Sequence, residues 1–289
     1  MPGLYIPFYC LNDTQIVLID SGFAWTGRKI RQRLDSLGLR VAAIIHTHIH
    51  IDHICGDAAF LEDEHAPAVY GSRLENDLTL QSYKDNMTDD PYAQQQAAEV
   101  TPVMTAFSSV LIDLDGNGQG DRLIAGLPCR DLTVAGETFQ VIDAPGHSPL
   151  HHLIVTPDGV CCLGDALMYG LSLEKAKSPY IFDLIQDIGT IRKIAGLSYS
   201  HYCCAHEGIF PAAELAGTVD ANLAIFRGIL EEVARLEQAE PSMEVLDATR
   251  QLVKKIGIHD GHDVFWVIST LRQYIDYYQQ TKSGKLPGD

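Results

Sequence analysis

The chain has 289 residues, of which 46% are hydrophobic and 20% charged. This length fits one large domain or a domain with a smaller appendage, and the composition excludes a disordered, collagen-like or membrane chain. The 38 acidic residues outnumber the 21 basic ones and give a net charge of −17, which repels a phosphate backbone. We therefore expect no binding to nucleic acid.

Targeting signals and disulfide frameworks are not recognisable in this sequence. No apolar run approaches the roughly 20 residues of a membrane helix, and residues 1–12 lack the basic start and cleavage site of a signal peptide. We therefore expect no membrane association and a cytoplasmic location. The seven cysteines include two adjacent pairs, Cys161–Cys162 and Cys203–Cys204, within apolar runs. Such runs indicate buried strands, so we expect reduced and mostly buried thiols.

The first 71 residues alternate strand and helix signals. Apolar runs predict strands at 4–11, 15–19, 41–46 and 68–71. Between the second and third strands, Ile30, Leu34 and Leu37 form one apolar face of a predicted helix. Thr26 is its candidate N-cap and Gly38 its candidate end.

The rest of the chain is first strand-rich and then helical. Strands are predicted at 131–134, 137–144, 151–156, 160–163 and 199–205, and a helix at 180–197. From about residue 212 only helical periodicity remains, with three helices separated near Pro241 and at 257–261. The polar, weakly periodic stretch at about 73–109 is interpreted as an insertion. We therefore predict an α/β domain over residues 1–211 and a helical extension over 212–289.

The third predicted strand ends in a cluster of imidazole and carboxylate side chains, HTHIHIDH at 46–53. The alternation of a strand or an extended loop turns His48, His50 and Asp52 to one side. Such groups are costly to bury together unless a divalent cation satisfies their lone pairs. Three further predicted strand ends carry ligand-type residues, namely His147, Asp165 and His206. Donors at several strand ends are what a metal site at the rim of a sheet requires.

These residues resemble the signature of the metallo-β-lactamase superfamily, in which His-x-His-x-Asp-His is followed by a distant His, a bridging Asp and a final His. Two turns add to the resemblance, Leu18-Ile19-Asp20-Ser21-Gly22 and Ala144-Pro145-Gly146-His147-Ser148-Pro149. The similarity covers about residues 4–208. It implies an αββα sandwich, with two sheets back to back and helices outside. The helical extension resembles that of glyoxalase II-type thioesterases.

The resemblance also implies a dinuclear metal site. By that resemblance one metal would be held by His48, His50 and His147, and the other by Asp52, His53 and His206, with Asp165 bridging both. Imidazoles and carboxylates without a thiolate suit Zn²⁺ first, and then Fe or Mn. We therefore expect two Zn²⁺ ions per chain. A metal-bound hydroxide would be the nucleophile, and Asp52 and Asp165 would be catalytic by orienting it and accepting its proton.

Several further residues are expected to lie outside the ligand set. His46 lies one strand step behind His48 and is interpreted as a supporting residue. His151 and His152 are expected at the surface, at the start of a strand, with a supporting role beside the ligands as the alternative for one of them. His201 is expected to face away from the cluster, and Cys55 to be a small buried hydrophobe. His259 and His262 are expected at the surface.

Residues 113–121, DLDGNGQGD, resemble part of a calcium-binding loop. Asp113, Asp115 and Asn117 occupy the first, third and fifth positions of such a loop. The twelfth position is Ile124, so the bidentate carboxylate is missing. A Gly/Asp-rich turn without metal is therefore the favoured interpretation, and a Ca²⁺ site the alternative.

Fold and ligands do not choose among the thioesters, lactones, β-lactams and phosphodiesters that the superfamily hydrolyses. The basic residues with which glyoxalase II holds glutathione are not recognisable in residues 167–180. The insertion, with Tyr83, Met87, Tyr92 and Phe107, is interpreted as a lid over an apolar pocket or as the contact of a homodimer. We therefore predict a metal-dependent hydrolase of a small ester, thioester or lactone.

Three other activities are weighed against this prediction. An iron persulfide dioxygenase, which resembles this family, would use only His48, His147 and Asp165, and the presence of the complete first motif argues against it. An RNA or phosphodiester hydrolase would use the same metals, but the charge of −17 argues against that substrate. A flavodiiron-type oxygen reductase carries Glu where this chain has His50.

Overall fold

A computed structural model describes residues 5–61, 65–85, 101–102, 104–115, 122–169, 180–206, 208–239 and 264–289. The strands are β1 (Phe8–Cys10), β2 (Gln15–Ile19), β3 (Arg40–Ile45), β4 (Ala68–Gly71), β5 (Leu111–Asp113), β6 (Arg122–Ile124), β7 (Leu127–Val134), β8 (Glu137–Asp143), β9 (His152–Val155), β10 (Val160–Gly164), β11 (His201–Cys204) and β12 (Gly208–Pro211). The helices are α1 (Ala24–Ser36), α2 (Ile51–Ile54), α3 (Ala58–Leu61), α4 (Arg73–Asp85), α5 (Leu184–Ile194), α6 (Leu215–Ala239) and α7 (Val264–Thr281). Residues 104–110 are also helical.

These strands form two sheets. The first has the order β1-β2-β3-β4-β5, with β1 antiparallel to β2 and the other neighbours parallel. The second has the order β12-β11-β10-β9-β8-β7-β6 and is antiparallel except for the pair β10 and β11.

Strand alternation lets each sheet bury both of its faces. In β2, Val17 and Ile19 pack toward the second sheet, whereas Ile16 and Leu18 pack with Leu34 of α1. The second sheet is covered in the same way by the first sheet on one face and by α5, α6 and α7 on the other. This arrangement of helix, sheet, sheet and helix layers confirms the predicted αββα sandwich.

Most predicted strands are confirmed to within a few residues, but β5, β6 and β12 have no counterpart in the sequence prediction. They are only three or four residues long and carry exposed side chains, so their hydrophobic pattern is weak. Thr26 does not cap α1, because that helix already begins at Ala24 with Phe23 as its N-cap. Gly38 follows the helix end with a φ of +69°, as predicted.

The C-terminal helices pack on the second sheet. Phe226 of α6 and Tyr274 of α7 are buried and meet edge to face, with ring centroids 6.2 Å apart. The middle helix of the predicted extension lies outside the described residues, as do His259 and His262. Within the described part of the chain, no helix is both long and apolar enough to span a bilayer.

Part of the predicted insertion belongs to the core. Met104 and Phe107 are buried in a cluster with Ile49 and Val69, beneath the loop that follows β3. Phe107 is therefore a core residue and does not line a lid. The side chains of Tyr83, Met87 and Tyr92, named for the same prediction, lie outside the described part of the structure.

Candidate metal centre

The seven residues predicted as ligands converge where strands of both sheets end. His48 and His50 lie in the loop after β3, and Asp52 and His53 lie in α2. The others follow the ends of β8, β10 and β11, and they are His147, Asp165 and His206. The fold therefore brings together side chains that are up to 158 residues apart in the sequence.

The loop after β3 stays extended only as far as His50. Ile49 is buried in the core, so His48 and His50 on either side of it turn the other way. Helix α2 then begins at Ile51, with His50 as its N-cap. The strand-like alternation therefore ends at His50, and Asp52 lies in a helical turn, where it groups with His53 and His206 as the family resemblance implies.

The potential ligand atoms form three overlapping groups, in each of which all atoms lie within 4.8 Å of one another. These groups are His48, His50 and His147; His48, His53 and Asp165; and Asp52, His53 and His206. In the first group, His50 Nδ1 lies 2.9 Å from His48 Nε2 and 3.2 Å from His147 Nε2. The ring of Tyr180 stands beside this group, with its centroid 5.1 Å from that of His50.

Asp165 lies between the first and the third of these groups. Its Oδ2 is 3.1 Å from His206 Nε2, 3.4 Å from His53 Nε2 and 3.7 Å from His147 Nε2. Two buried atoms, His53 Nε2 and Asp165 Oδ1, make no hydrogen bond with a described residue. Unpaired lone pairs among convergent imidazoles and carboxylates are what a divalent cation satisfies, so this donor set fits a metal ion.

The group of His48, His50 and His147 and the group of Asp52, His53 and His206 differ in their affinity for protons. Burial lowers the pKa of His48 and His147 well below the usual range and that of His50 to about 4, so these imidazoles are neutral, the form that binds metal. Burial also acts to lower the pKa of His53 and His206, but Asp165 and the other nearby carboxylates outweigh it. The pKa of His53 is raised, and that of His206 is raised to about 9. A metal ion must therefore displace protons from His53 and His206.

Asp20 holds the first ligand loop from behind. Its Oδ1 accepts the Thr47 N–H at 2.9 Å, and its Oδ2 accepts the Thr47 hydroxyl at 2.9 Å and faces His53 Nδ1 at 2.9 Å. Burial would raise the pKa of Asp20, but His53 and His46 outweigh burial and lower it. An ionised carboxylate at Nδ1 orients His53 so that Nε2 faces the cluster.

His46 supports the cluster from below, as predicted. It is fully buried, with Nε2 3.0 Å from Asp57 Oδ2 and Nδ1 3.5 Å from Asp20 Oδ1. Burial lowers its pKa, but Asp57 and Asp20 outweigh this and raise it to about 9. This contact with Asp57 was not predicted, because it depends on the short turn after α2.

The prediction that His151 lies at the surface is wrong. His151 is fully buried and stacks on His48, with ring centroids 4.9 Å apart. Its Nε2 accepts the backbone N–H of Asp165 at 3.2 Å, so it supports two ligand residues. A signal in the sequence could have shown this. The run Leu153-Ile154-Val155 that follows is typical of a strand covered on both faces, and the start of such a strand is also buried.

The same prediction is wrong for His152, which connects the two sheets. Its Nδ1 is 3.1 Å from Asp143 Oδ1 and its Nε2 is 3.7 Å from Asp115 Oδ1. Asp115 belongs to the calcium-like segment, and both it and Asp113 accept backbone N–H groups at the start of α4. Two candidate calcium ligands are thus engaged by the chain itself, while residues 116–121 lie outside the described part.

The remaining discounted residues lie apart from the cluster or carry no ligand atom in it. His201 is exposed at the start of β11. Cys55 is half-buried, and burial raises the pKa of its thiol to about 11. All seven cysteines are free thiols, and the two adjacent pairs are buried as predicted.

Two glycines allow the ligand loops to approach their neighbours. Gly146, before His147, has a φ of +140°, and a Cβ there would lie 2.2 Å from the Asp187 Cα. Gly164, before Asp165, has a φ of +53°, and its Cβ would lie 2.6 Å from Thr47 Oγ1. Only glycine fits such positions without strain.

Comparison with known proteins agrees with this fold. The model of the metallo-beta-lactamase superfamily matches residues 7–119. A hydroxyacylglutathione hydrolase of Idiomarina loihiensis is 24% identical over 233 residues, which cover 79% of this chain and 71% of the relative. A protein of the same name from Xanthomonas campestris pv. campestris is 26% identical over 245 residues, covering 83% and 76%.

Solved structures share the same fold at low sequence identity. A metallo-beta-lactamase family protein of Thermus thermophilus has a TM-score of 0.61 and 16% identity, covering 98% of this chain and 95% of that one. A beta-lactamase domain protein from Burkholderia ambifaria has a TM-score of 0.65 and 15% identity, covering 96% and 81%. The fold and the histidine-aspartate cluster thus define a metallo-β-lactamase-fold protein. The family model matches the first part of the chain, and together with the hydroxyacylglutathione hydrolase relatives it supports a metal-dependent hydrolase with this fold.

Proposed function

We propose that the protein is a dinuclear-metal-dependent hydrolase of a small carbonyl substrate, namely an ester, a thioester or a lactone. The observation that carries this proposal is the division of the ligand-type residues around Asp165. His48, His50 and His147 form one group, and Asp52, His53 and His206 form another. Such a division supports two metal positions, for which Zn²⁺ is the first candidate and Fe or Mn the next. We also propose that residues 1–211 form the catalytic domain and 212–289 its helical extension.

The chain supplies charge and proton acceptors for this chemistry. When bound, two divalent cations supply an activated water and polarise the substrate carbonyl. Asp165 contributes negative charge between the two groups. The Asp52 side chain is more exposed, at 23%, and borders His206 with Oδ2 3.5 Å from Nε2. It can therefore accept the proton that the attacking water releases.

The surroundings of the cluster favour an uncharged acyl group over a phosphodiester. Phe182 is 51% exposed, and its N–H donates to the carbonyl groups of Gly146 and His147. Among the described residues, the ion pairs within the cluster join imidazoles to carboxylates, with no Lys or Arg partner. Phosphodiester substrates need basic side chains for their extra charge. The curated relatives are named for an acylated glutathione substrate, which supports an acyl substrate here as well.

The proposal is tested with a panel of substrates and metals. A lactone, an aryl ester, a thioester, a cephalosporin and a bis-aryl phosphodiester are assayed with enzyme loaded with Zn²⁺, Mn²⁺ or Fe²⁺. We expect about two metal ions per chain by elemental analysis, and the highest kcat/KM for a lactone, ester or thioester. The Asp165→Asn variant, purified in parallel, controls for contaminating hydrolases.

Two results would contradict the proposal. A kcat/KM for the phosphodiester about tenfold above every acyl substrate, a difference of about 1.4 kcal/mol in transition-state binding, would favour the phosphodiester hydrolase. One iron ion per chain, together with oxygen consumption on addition of a persulfide, would favour the dioxygenase.

A further inference from the structure

Glu75 is a buried carboxyl group behind the ligand loops that the proposed chemistry does not use. It lies in the first turn of α4, is 0% exposed, and donates its own N–H to the Ser72 hydroxyl at 2.9 Å. Its Oε1 accepts the backbone N–H of Ile49 at 3.1 Å. A buried carboxyl group is costly unless it has such partners.

The Ile49 peptide connects two of the proposed metal ligands. Ile49 stands between His48 and His50, and its side chain is held in the core with Ile54 and Phe107. Glu75 holds the backbone N–H of the same residue. The side chain and the backbone of Ile49 are therefore fixed from two directions, which sets where the two flanking imidazoles point.

The loop of His147 also lies near Glu75. Ser148 follows His147 and is fully buried. Burial raises the pKa of Glu75 to about 7, while the Ile49 N–H and the Ser148 hydroxyl act in the opposite direction by favouring the charged form. Neither Ser148 Oγ nor Glu75 Oε2 completes a hydrogen bond of ordinary geometry with a described residue, so this contact is weaker than the one to Ile49.

We propose that Glu75 is a positioning residue for the metal group formed by His48, His50 and His147. It acts through the backbone of Ile49, and it is not part of any potential ligand group among the described residues. This inference rests on the proposed metal-binding function. It assigns to the segment after β4 the role of holding the loop that supplies His48 and His50.

The test compares two substitutions of nearly equal size. Glu75→Met removes both carboxylate oxygens but fills the same space, whereas Glu75→Gln keeps an oxygen that can accept the Ile49 N–H. Asp77→Asn, at an exposed position of the same helix, is the matched control. Each variant is titrated with Zn²⁺ against a competing chelator, and the absorption spectrum of its Co²⁺ form is recorded.

We expect Glu75→Met to weaken binding of one metal ion by about 10- to 100-fold, the usual effect of removing a group that orients a ligand. Binding of the other ion stays close to wild type, and the Co²⁺ spectrum changes because one coordination sphere is altered. Glu75→Gln and Asp77→Asn behave like the wild type. Rescue by glutamine separates positioning by a hydrogen bond from a general need for negative charge.

Three outcomes would overturn the inference. They are a folded Glu75→Met variant with unchanged affinities and spectrum, a Glu75→Gln variant that binds as weakly as Glu75→Met, and equal weakening of both ions. If Glu75→Met does not fold, Glu75→Ala replaces it in the same titration, and unchanged affinities of that variant would also overturn the inference. A wild-type chain that binds no metal would defeat the proposed function and this inference together, whereas a loaded wild type with an unaffected Glu75→Met defeats this inference alone.

Discussion

The Asp165 carboxylate is shared by imidazoles from three separate segments of the chain, those of His53, His147 and His206. Asp52 belongs to one of the three potential ligand groups, the one with His53 and His206. These two carboxylates provide the negative charge at the centre and at one side of the cluster. Both lie at a rim of strand ends rather than inside a hydrophobic core, so removing their charge should affect chemistry more than folding.

Asp165→Asn and Asp52→Asn should each lower kcat/KM by about 100-fold or more, because each removes charge that holds a metal ion or accepts a proton. The change is measured by steady-state kinetics on the best acyl substrate, with metal content and circular dichroism recorded for each variant. Asp220→Asn, at an exposed position of α6, is the control and should be unchanged. Near-native turnover of either site variant with both metals bound would show that the assignment of the site is incorrect.

Asp187 is a second buried carboxyl group, and its titration has a consequence for stability. Burial raises its pKa to about 8, even though the His147 backbone N–H favours its charged form. The folded chain therefore binds this proton more tightly than the unfolded chain does. The resulting stability is complete below the unfolded pKa of about 3.9 and is lost as the pH rises toward 8.

Asp187→Asn should therefore become more stable relative to the wild type as the pH rises from 5 to 8, and the difference should level off above that range. Asparagine keeps an oxygen that accepts the His147 N–H but cannot ionise. The difference in Tm between the two metal-free proteins, measured at intervals from pH 5 to 9, gives the comparison. A difference in Tm that does not vary with pH would show that burial does not raise the pKa of Asp187.

Helix α7 is connected to the ligand loop of His147 through a single segment. Gln273 accepts the Leu184 N–H at 2.8 Å and donates to the Ile181 carbonyl at 2.8 Å. In the same segment, the Phe182 and Asp183 N–H groups donate to the Gly146 carbonyl, each at 3.0 Å. The extension thus supports the site from outside the residues that the superfamily model matches.

Gln273→Ala should lower the free energy of unfolding by about 1–3 kcal/mol, because it leaves backbone groups near the start of α5 without their partners. Metal affinity should also fall, because the loop before His147 loses its support. Chemical denaturation and metal titration measure the two effects, with Gln280→Ala at an exposed position of α7 as the control. If metal affinity is unchanged while stability falls, α7 covers the sheet without positioning the site.

At the scale of the whole molecule, a bound metal would tie the two sheets together. His48 and His50 follow a strand of the first sheet, whereas His147 follows a strand of the second. The unfolded chain cannot hold these side chains in one place, so metal binding and folding are coupled.

Removal of metal with a chelator should lower Tm, and added Zn²⁺ should restore it in a concentration-dependent manner, by about 2.7 kcal/mol of stability at 100 times Kd. The affinity should be weaker at pH 6 than at pH 8, because the raised pKa values of His53 and His206 let protons compete with the metal. Differential scanning calorimetry at the two pH values measures both effects. A Tm that is independent of metal would contradict a site shared by the two sheets.

Local sequence was sufficient for those features that depend on side-chain type and short-range periodicity. The alternation of β2 and the imidazoles flanking Ile49 could be predicted because a strand or extended loop repeats every two residues. The residues His147, Asp165 and His206 could be identified because each follows an apolar run that ends in a turn. The αββα layers followed from the motif resemblance, whereas the order of strands and helices alone indicated only an α/β domain.

Tertiary structure decided which groups are buried and what they contact. The start of α2 at Ile51 could not be predicted, because a four-residue helix leaves no periodic pattern in the sequence. His151 and Glu75 lie behind the cluster because elements distant in the chain cover them, so their surroundings cannot be inferred from neighbouring residues. The physical reason is that burial and hydrogen bonding depend on the packing of whole layers, whereas periodicity depends only on the conformation of one segment.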